Sequence, residues 1–359
     1  MKKRIVFTGG HHNSALVVAN ILKKEGFEVF WFGHKFASRG DKSLSVEYQE
    51  VVRHNIPFFE LKTGKAYRQR NPLEWLKIIL GFIQAFNYLL KIKPSLIVSF
   101  GGYLAVPTVI AGRILGIKSI THEQTVVSGW ANRAIVNFVD KVLLTHKSSL
   151  KNYPRKKVKI VGLPIRPEIF DKSFKKTFEP PLIYITCGKQ GSHNINQAVF
   201  PLIPQLVKKY TVVHQTGSNT LMKDLDKAKR IKDGLKELSN RYIYAPYFFT
   251  PDAPSYLQSA KLVISRAGAH QIYELMLLQK RSVLIPIPWV SHNEQYLNAK
   301  LATSYLPGTI LEEKDLNPEN LLQAIDKTLV ARPKPKIQLE KDAHQKVVDI
   351  IHSYFSVSS

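Results

Sequence analysis

The sequence predicts an α/β protein of two doubly wound domains, each built on a largely parallel sheet. Short apolar runs of strand length alternate with helix-periodic stretches along the whole chain, as successive βα units require. The alternation occurs twice. Between the halves lies "GLPIRPEIFDKSFKKTFEPP", residues 162–181, rich in proline and charge and without a clear period, which reads as a linker. With 359 residues and 44 % hydrophobic content, the chain can fill two cores.

The elements follow in order. Strands are expected near Arg4–Phe7, Glu28–Phe32, Leu96–Ser99, Ser119–His122, Lys141–Leu144 and Val158–Val161, with helical patterns between most of them. In the second half they are expected near Leu182–Thr186, Thr211–Gln215, Tyr242–Tyr244, Leu262–Ser265, Ser282–Pro286 and Thr309–Leu311. "ARPKPKI" near residue 331 separates the last α/β unit from a final helix. The expected boundaries are residues 1–163, residues 164–335, and a helix at 336–359 that packs back on the first domain. In such sheets ligands bind beyond the carboxyl ends of the strands. The loops of interest fall there: Thr8–His12, Gly101–Tyr103, His122–Thr125, Cys187–Ser192, His214–Asn219, Arg266–Gln271 and Trp289–Gln295. Two sheets facing each other would set these loops across one cleft.

Composition narrows the partners. The net charge of +25 is uneven: residues 1–165 hold 26 Lys and Arg against 9 Asp and Glu, a balance of +17, and the remainder carries +8. Such a field favours anionic partners. No zinc-finger spacing, arginine-glycine tract or RNA-binding aromatic signature points to nucleic acid. One cysteine, Cys187, excludes an internal disulfide and fits a reducing compartment. "MKKRIVF" enters a strand directly and does not resemble a secretory signal.

"NPLEWLKIILGFIQAFNYLLKIK", residues 71–93, is the most apolar helical stretch. Its longest uncharged run has 13 residues, too few to span a bilayer. Trp75, Ile79, Phe82, Phe86 and Leu89 fall near one face, flanked by lysines and arginines. The expected arrangement is a helix mainly in the core with one apolar edge exposed to an anionic leaflet.

The first turn, "TGGHHNS", joins a buried strand to a helix. Gly9 and Gly10 allow a sharp bend and close approach of a ligand to the backbone, and the helix start offers unpaired N–H groups to an anion. It lacks the G-x-G-x-x-G fingerprint of dinucleotide binding. A plain structural turn is the alternative. "DLD" at 224–226 mimics a metal-binding D-x-D but lies in a lysine-rich helical stretch, where a solvated face is expected. The histidines lack zinc-enzyme spacing.

"TGGHHNSALVVA", "SFGGYLAVPTVIAGRILGI", "THEQTVVSGWANRAI", "VGLPIR", "CGKQGSHNIN", "HQTG", "SRAGAHQIYELMLLQKRSVLIPIP" and "HNEQYLNAK" occur in the order and approximate spacing of the MurG family. The resemblance covers roughly residues 4–330. That family comprises peripheral membrane N-acetylglucosaminyltransferases that convert lipid I to lipid II in peptidoglycan synthesis, hence cell wall, cell shape and cell division. The resemblance implies a GT-B architecture of two Rossmann-like domains facing across a cleft. It implies an inverting mechanism with a UDP-sugar donor, UDP-GlcNAc, and no required metal or other cofactor. The sugar goes to the C4 hydroxyl of the muramoyl sugar of an undecaprenyl-diphosphate lipid at the cytoplasmic face of the membrane. The first domain would then face the acceptor and membrane and the second would hold the UDP-sugar.

Residue by residue, His11 matches the histidine after T-G-G, as catalytic base or diphosphate contact; imidazole titrates near neutrality and suits proton removal. Thr8, Gly9 and Gly10 are assigned to donor and acceptor phosphates. Gly101, Gly102, Tyr103, Glu123, Thr125 and Asn132 are assigned to the acceptor side. On the donor side stand Arg166, Lys189, Gln190, Gly191, Ala269, His270, Gln271, Ile272, Tyr273, Glu274 as the ribose ligand, and Gln295 against the sugar. Phe248 or Phe249 flanks uracil. The chain departs from the family at Val6 and Phe7 for glycines and Ser14 for proline. It departs again at Thr125 for asparagine, Lys189 for serine, and His270–Gln271 for a Leu-Thr pair. These departures leave open another UDP-sugar or lipid acceptor, and a non-catalytic binding protein on the same fold.

Overall fold

The computed structural model describes residues 3–36, 44–64, 72–125, 128–188, 191–219, 221–289 and 293–356, with the side chains of 72–75 excepted. The chain divides into two compact units: residues 1–166 with 340–359, and residues 167–339. The first boundary falls at Arg166/Pro167, three residues beyond the sequence-based one.

In the first unit the strands are β1 (Arg4–Thr8), β2 (Glu28–Gly33), β3 (Phe58–Glu60), β4 (Leu96–Ser99), β5 (Lys118–Glu123), β6 (Lys141–Leu144) and β7 (Val158–Ile160). Its helices are α1 (His12–Lys24), α2 (Val46–Arg53), α3 (Pro72–Ile92), α4 (Ala105–Ile114) and α5 (Trp130–Ile135). The second unit holds β8 (Leu182–Thr186), β9 (Thr211–Gln215), β10 (Tyr242–Ala245), β11 (Leu262–Ser265), β12 (Ser282–Leu284) and β13 (Gly308–Ile310). Its helices are α6 (His193–Val199), α7 (Ile203–Leu206), α8 (Asp224–Gly234), α9 (Asp252–Ser259), α10 (Ala269–Leu278), α11 (Glu294–Tyr305) and α12 (Pro318–Leu329). The last helix, α13 (Ala343–His352), belongs to the first unit.

Both sheets are parallel and share one topology, β3-β2-β1-β4-β5-β6-β7 and β10-β9-β8-β11-β12-β13. Strand order reverses between β1 and β4 in one and between β8 and β11 in the other. These are the switch points where open α/β sheets leave a crevice at their carboxyl edge. Alternate side chains of β1 feed opposite faces, as a pleated strand requires. Ile5 and Phe7 pack with α1 and α13, while Val6 packs with Leu89, Ala105 and Val109 on the α3–α4 side. In the second unit Ile183, Ile185, Val212, Ile264 and Val283 meet Ile195, Val199, Leu321 and Ile325.

Three expectations change. The strand β3 was not expected. Residues 167–181 are not a free linker: Gln258 Nε2, on α9, donates to the carbonyls of Glu168 at 2.6 Å and Asp171 at 2.8 Å, which fixes that segment on the second unit. On α3, Phe82 and Phe86 are half-buried against the sheet and Leu89 is fully buried, so that stripe faces mainly inward. The exposed apolar stripe is one register round: Leu76, Ile79 (57 % exposed), Leu80, Ile83 and Leu90. The side chain of Trp75 lies outside the described residues. Among those residues no helix is long and apolar enough to cross a membrane.

Candidate active site

In the first unit the switch point is made of two glycine turns packed backbone to backbone. Gly10 N–H donates to Gly101 O at 2.9 Å, and Phe100 N–H donates to Thr8 O at 2.8 Å. Gly9 has φ +140°, and a Cβ there would lie 2.7–2.8 Å from backbone atoms of Phe100 and Gly101; one on Gly102 would lie 2.7 Å from Gly10 N. Only glycine permits this approach. His11 sits at the start of α1 with Nδ1 3.1 Å from Phe100 O. A carbonyl can only accept, so Nδ1 carries the proton, and in the neutral ring Nε2 is the basic nitrogen.

Around these turns the polar groups are heavily buried. The Thr8 hydroxyl has no hydrogen-bond partner among the described residues. His12, the next residue, turns inward and bonds Glu50 on α2 through Nε2. Tyr103 packs its ring 5.4 Å from that of His34. His122 donates from Nε2 to Gly162 O at 2.9 Å and stacks on Phe100 at 5.2 Å; burial holds its pKa down at about 4, so it is neutral. Glu123 is 2 % exposed, and its carboxylate accepts from Thr125, Gly129, Asn132 and Tyr153. The groups expected to meet the acceptor at Glu123, Thr125 and Asn132 are thus bonded to one another inside the unit.

The second unit repeats the plan at its own switch point. Gly191 has φ +72° and lies against the Thr216–Gly217 backbone. Lys189 and Gln190 fall outside the described residues. After β11, Gly268 caps α10 in open space, leaving the first-turn amides of Ala269, His270 and Gln271 without intrahelical acceptors. Gln271 Nε2 is a buried donor with no partner among the described residues. Glu274 is 1 % exposed, with its carboxylate 3.3 Å from His270 Nδ1 one turn earlier; Ile272 and Tyr273 face the core. Gln295, on α11, accepts through Oε1 from Ala267 N–H at 3.2 Å and Ile287 N–H at 3.1 Å. Its amide orientation is thereby set, and the NH2 is what it can offer a ligand. Phe248 is buried against Tyr184 and Tyr256, whereas Phe249 is half-buried with its ring 4.8 Å from Tyr247. Arg166 ends the first unit and is half-buried.

Two groups named in the sequence have buried partners that it does not reveal. Arg266 is clamped by Glu313 at 2.7 Å, Ile285 O at 3.2 Å and Ser192 Oγ at 2.6 Å. Asp224 of "DLD" is no solvated helix residue: it is 5 % exposed and accepts from His193, Asn196 and Gln197. Asn196 in turn accepts from His214, whose burial lowers its pKa to about 3. Among the described residues no group of His, Cys, Asp and Glu is placed to hold a metal ion.

Residues 6–144 match the glycosyltransferase family 28 N-terminal domain and residues 182–354 its C-terminal domain. A UDP-N-acetylglucosamine–N-acetylmuramyl-(pentapeptide) pyrophosphoryl-undecaprenol N-acetylglucosamine transferase of Clostridium perfringens is 32 % identical over 341 residues, 90 % of each chain. The chain belongs to glycosyltransferase family 28. Another relative, transferase 2 of the same description from Bacillus cereus, is 28 % identical over 354 residues, covering 94 % of this chain and 95 % of its own. Acinetobacter baumannii MurG superposes with TM-score 0.62 at 23 % identity, over 98 % of this chain and 99 % of that one. The UDP-GlcNAc 2-epimerase of Neisseria meningitidis, bound to UDP-GlcNAc, gives TM-score 0.62 at 15 % identity, over 98 % and 100 %. These two likenesses are of fold. The C-terminal-domain match runs through α13, which the fold assigns to the first unit.

Proposed function

We propose that this family 28 protein transfers N-acetylglucosamine from UDP-GlcNAc to the C4 hydroxyl of the muramoyl sugar on an undecaprenyl-diphosphate lipid. The observation that carries the reading is His11, held by the Phe100 carbonyl in the tautomer that makes Nε2 basic, beside two glycine turns packed backbone to backbone. Nε2 takes the proton of the attacking hydroxyl as its oxygen bonds to C1 of the donor sugar. The bond from C1 to the diphosphate breaks with inversion. The first-turn amides of α10 and Gln271 Nε2 receive the charge developing on UDP. That array supplies the electrophilic assistance, and the proposed reaction runs without a metal. Glu274 takes the ribose hydroxyls, the Gln295 NH2 a sugar hydroxyl, and Phe249 the face of uracil.

A second reading, another UDP-sugar or lipid acceptor, is favoured by Thr125, whose hydroxyl donates to Glu123 Oε1 at 2.9 Å and has no proton for a sugar. Release of UDP from a panel of UDP-sugars, with and without lipid-linked acceptors, tests both. The expected result is release that needs UDP-GlcNAc and the muramoyl lipid and is unchanged by chelator. Free sugar formed without acceptor, or loss of activity on chelation, would overturn it.

The proposed site of action is the cytoplasmic face of the membrane, reached peripherally. Leu76, Ile79, Leu80, Ile83 and Leu90 form an exposed stripe on α3, with Lys77 on the helix and Lys91 and Lys93 at its end. Burying half of an isoleucine contributes about 1 kcal/mol. Ile79→Glu with Ile83→Glu is therefore expected to weaken co-sedimentation with anionic vesicles about 10-fold or more. Equal binding of wild type and double variant would remove α3 as the contact.

A further inference from the structure

A continuous hydrogen-bonded frame runs from Glu123 to the turn that holds His11. Oε1 of Glu123 accepts from Thr125 N–H at 3.3 Å and its hydroxyl at 2.9 Å. Oε2 accepts from Gly129 N–H at 2.8 Å, Asn132 Nδ2 at 3.0 Å and the Tyr153 hydroxyl at 2.7 Å. Each of these donors is neutral, and three donors saturate one carboxylate oxygen. From Asn132 the frame continues inward. Its Oδ1 accepts from Thr121 Oγ1 at 2.8 Å, Thr121 Oγ1 is 3.3 Å from Ser99 Oγ, and Ser99 Oγ accepts Gly101 N–H at 3.2 Å. Gly101 follows Phe100, whose carbonyl accepts a hydrogen bond from His11 Nδ1–H, and Gly101 O accepts from Gly10 N–H. The peptide that sets the imidazole tautomer is therefore pinned on its far side by Glu123.

We propose that Glu123 and Tyr153 are positioning residues that hold the Phe100–Gly102 turn, and through it fix His11 in its Nδ1–H tautomer, without touching substrate. Tyr153 supplies the shortest of the five hydrogen bonds. Burial and the neighbouring carboxylate charge raise its pKa well above the usual phenol value, so its hydroxyl stays a donor throughout the working range. A buried network is held by the whole of its bonds, so losing one end loosens the other. The inference rests on His11 as base only for its effect on turnover; the tautomer is a separate observable.

The test is nitrogen-15 NMR of histidine-labelled full chain, with His11 assigned by His11→Gln, in wild type, Tyr153→Phe and Glu123→Gln. Wild-type His11 is expected to show a protonated Nδ1 and an unprotonated Nε2. In Glu123→Gln an NH2 must face other donors, and the Nδ1–H fraction is expected to fall at least about twofold toward the Nε2–H form that free imidazole prefers, with a smaller fall in Tyr153→Phe. Turnover is expected to fall about 10-fold in Glu123→Gln with donor KM unchanged, since the base loses orientation while UDP contacts remain. An unchanged tautomer in either folded variant overturns the proposal. So does a rise in acceptor KM at constant kcat, which would make Glu123 a substrate contact. Should Glu123→Gln fail to fold, Tyr153→Phe removes one hydroxyl and decides alone. A wild type inactive with every UDP-sugar would refute the proposed reaction, while the tautomer measurement would still decide the frame.

Discussion

Replacing His11 with alanine is expected to lower kcat about 1,000-fold while leaving the affinity for UDP within about twofold of wild type. General-base catalysis contributes about 10²–10⁴ in rate. The UDP contacts proposed above, on α10 and at Phe249 between β10 and α9, lie in the second unit, far along the chain from the β1–α1 turn. Among the bonds lost with the ring is the one from Nδ1 to the Phe100 carbonyl. Steady-state kinetics and calorimetric titration of UDP check the two halves. A kcat within threefold of wild type would remove His11 from proton transfer, and with it the reading of the two glycine turns as the acceptor half of the reaction.

Glu313→Ala is expected to destabilise the second unit by about 3–5 kcal/mol. The Arg266–Glu313 pair is 2.7 Å long, and both side chains are 8 % exposed. Removing one partner of a buried pair leaves the other charge uncompensated in low dielectric. Glu313 also receives Asn194 Nδ2, and Arg266 also donates to Ser192, so the N-terminus of α6 loses its ties to the loop that opens α10. Urea unfolding followed by circular dichroism measures the shift. The double variant Arg266→Met, Glu313→Leu is expected to recover most of it, since an apolar pair of similar volume costs little there. If the single variant unfolds like wild type, the pair is solvated in solution and does not brace the donor loops.

Much of the architecture was legible from period and spacing, and the exceptions have physical causes. Twelve of the strands fall where apolar runs put them. The strand β3 is a three-residue edge like β7 and β13, but its Phe58–Phe59–Glu60 run carries no β-branched residue, whereas theirs hold Val158 and Ile160, and Thr309 and Ile310. The register of α3 was misread because apolar residues ring most of that helix, and periodicity alone cannot choose which stripe meets the sheet. Residues 167–181 resembled a linker because their composition is polar. Gln258, almost ninety residues away, is what binds them. At the site, the glycine turns and the α10 start are local motifs and were readable. The inward turn of Glu123 was not, since its fate depends on Tyr153, thirty residues downstream on a segment with no motif. Arg266 was noticed as a landmark, but its partner Glu313 follows a different strand and carries no local signal.

The return of α13 to the first unit has a consequence for biosynthesis. Val347, Val348, Ile350 and Ile351 complete the core over Ala15, Val18 and Leu22 of α1. A ribosome makes these residues only after all of 167–339 has been synthesised, at about 5–20 residues per second. The unit begun first is thus the one finished last, and its nascent form waits with an apolar helix face uncovered for tens of seconds. A fragment ending at residue 166 inherits that uncovered face permanently, so isolating the amino-terminal unit calls for grafting residues 340–356 back onto it.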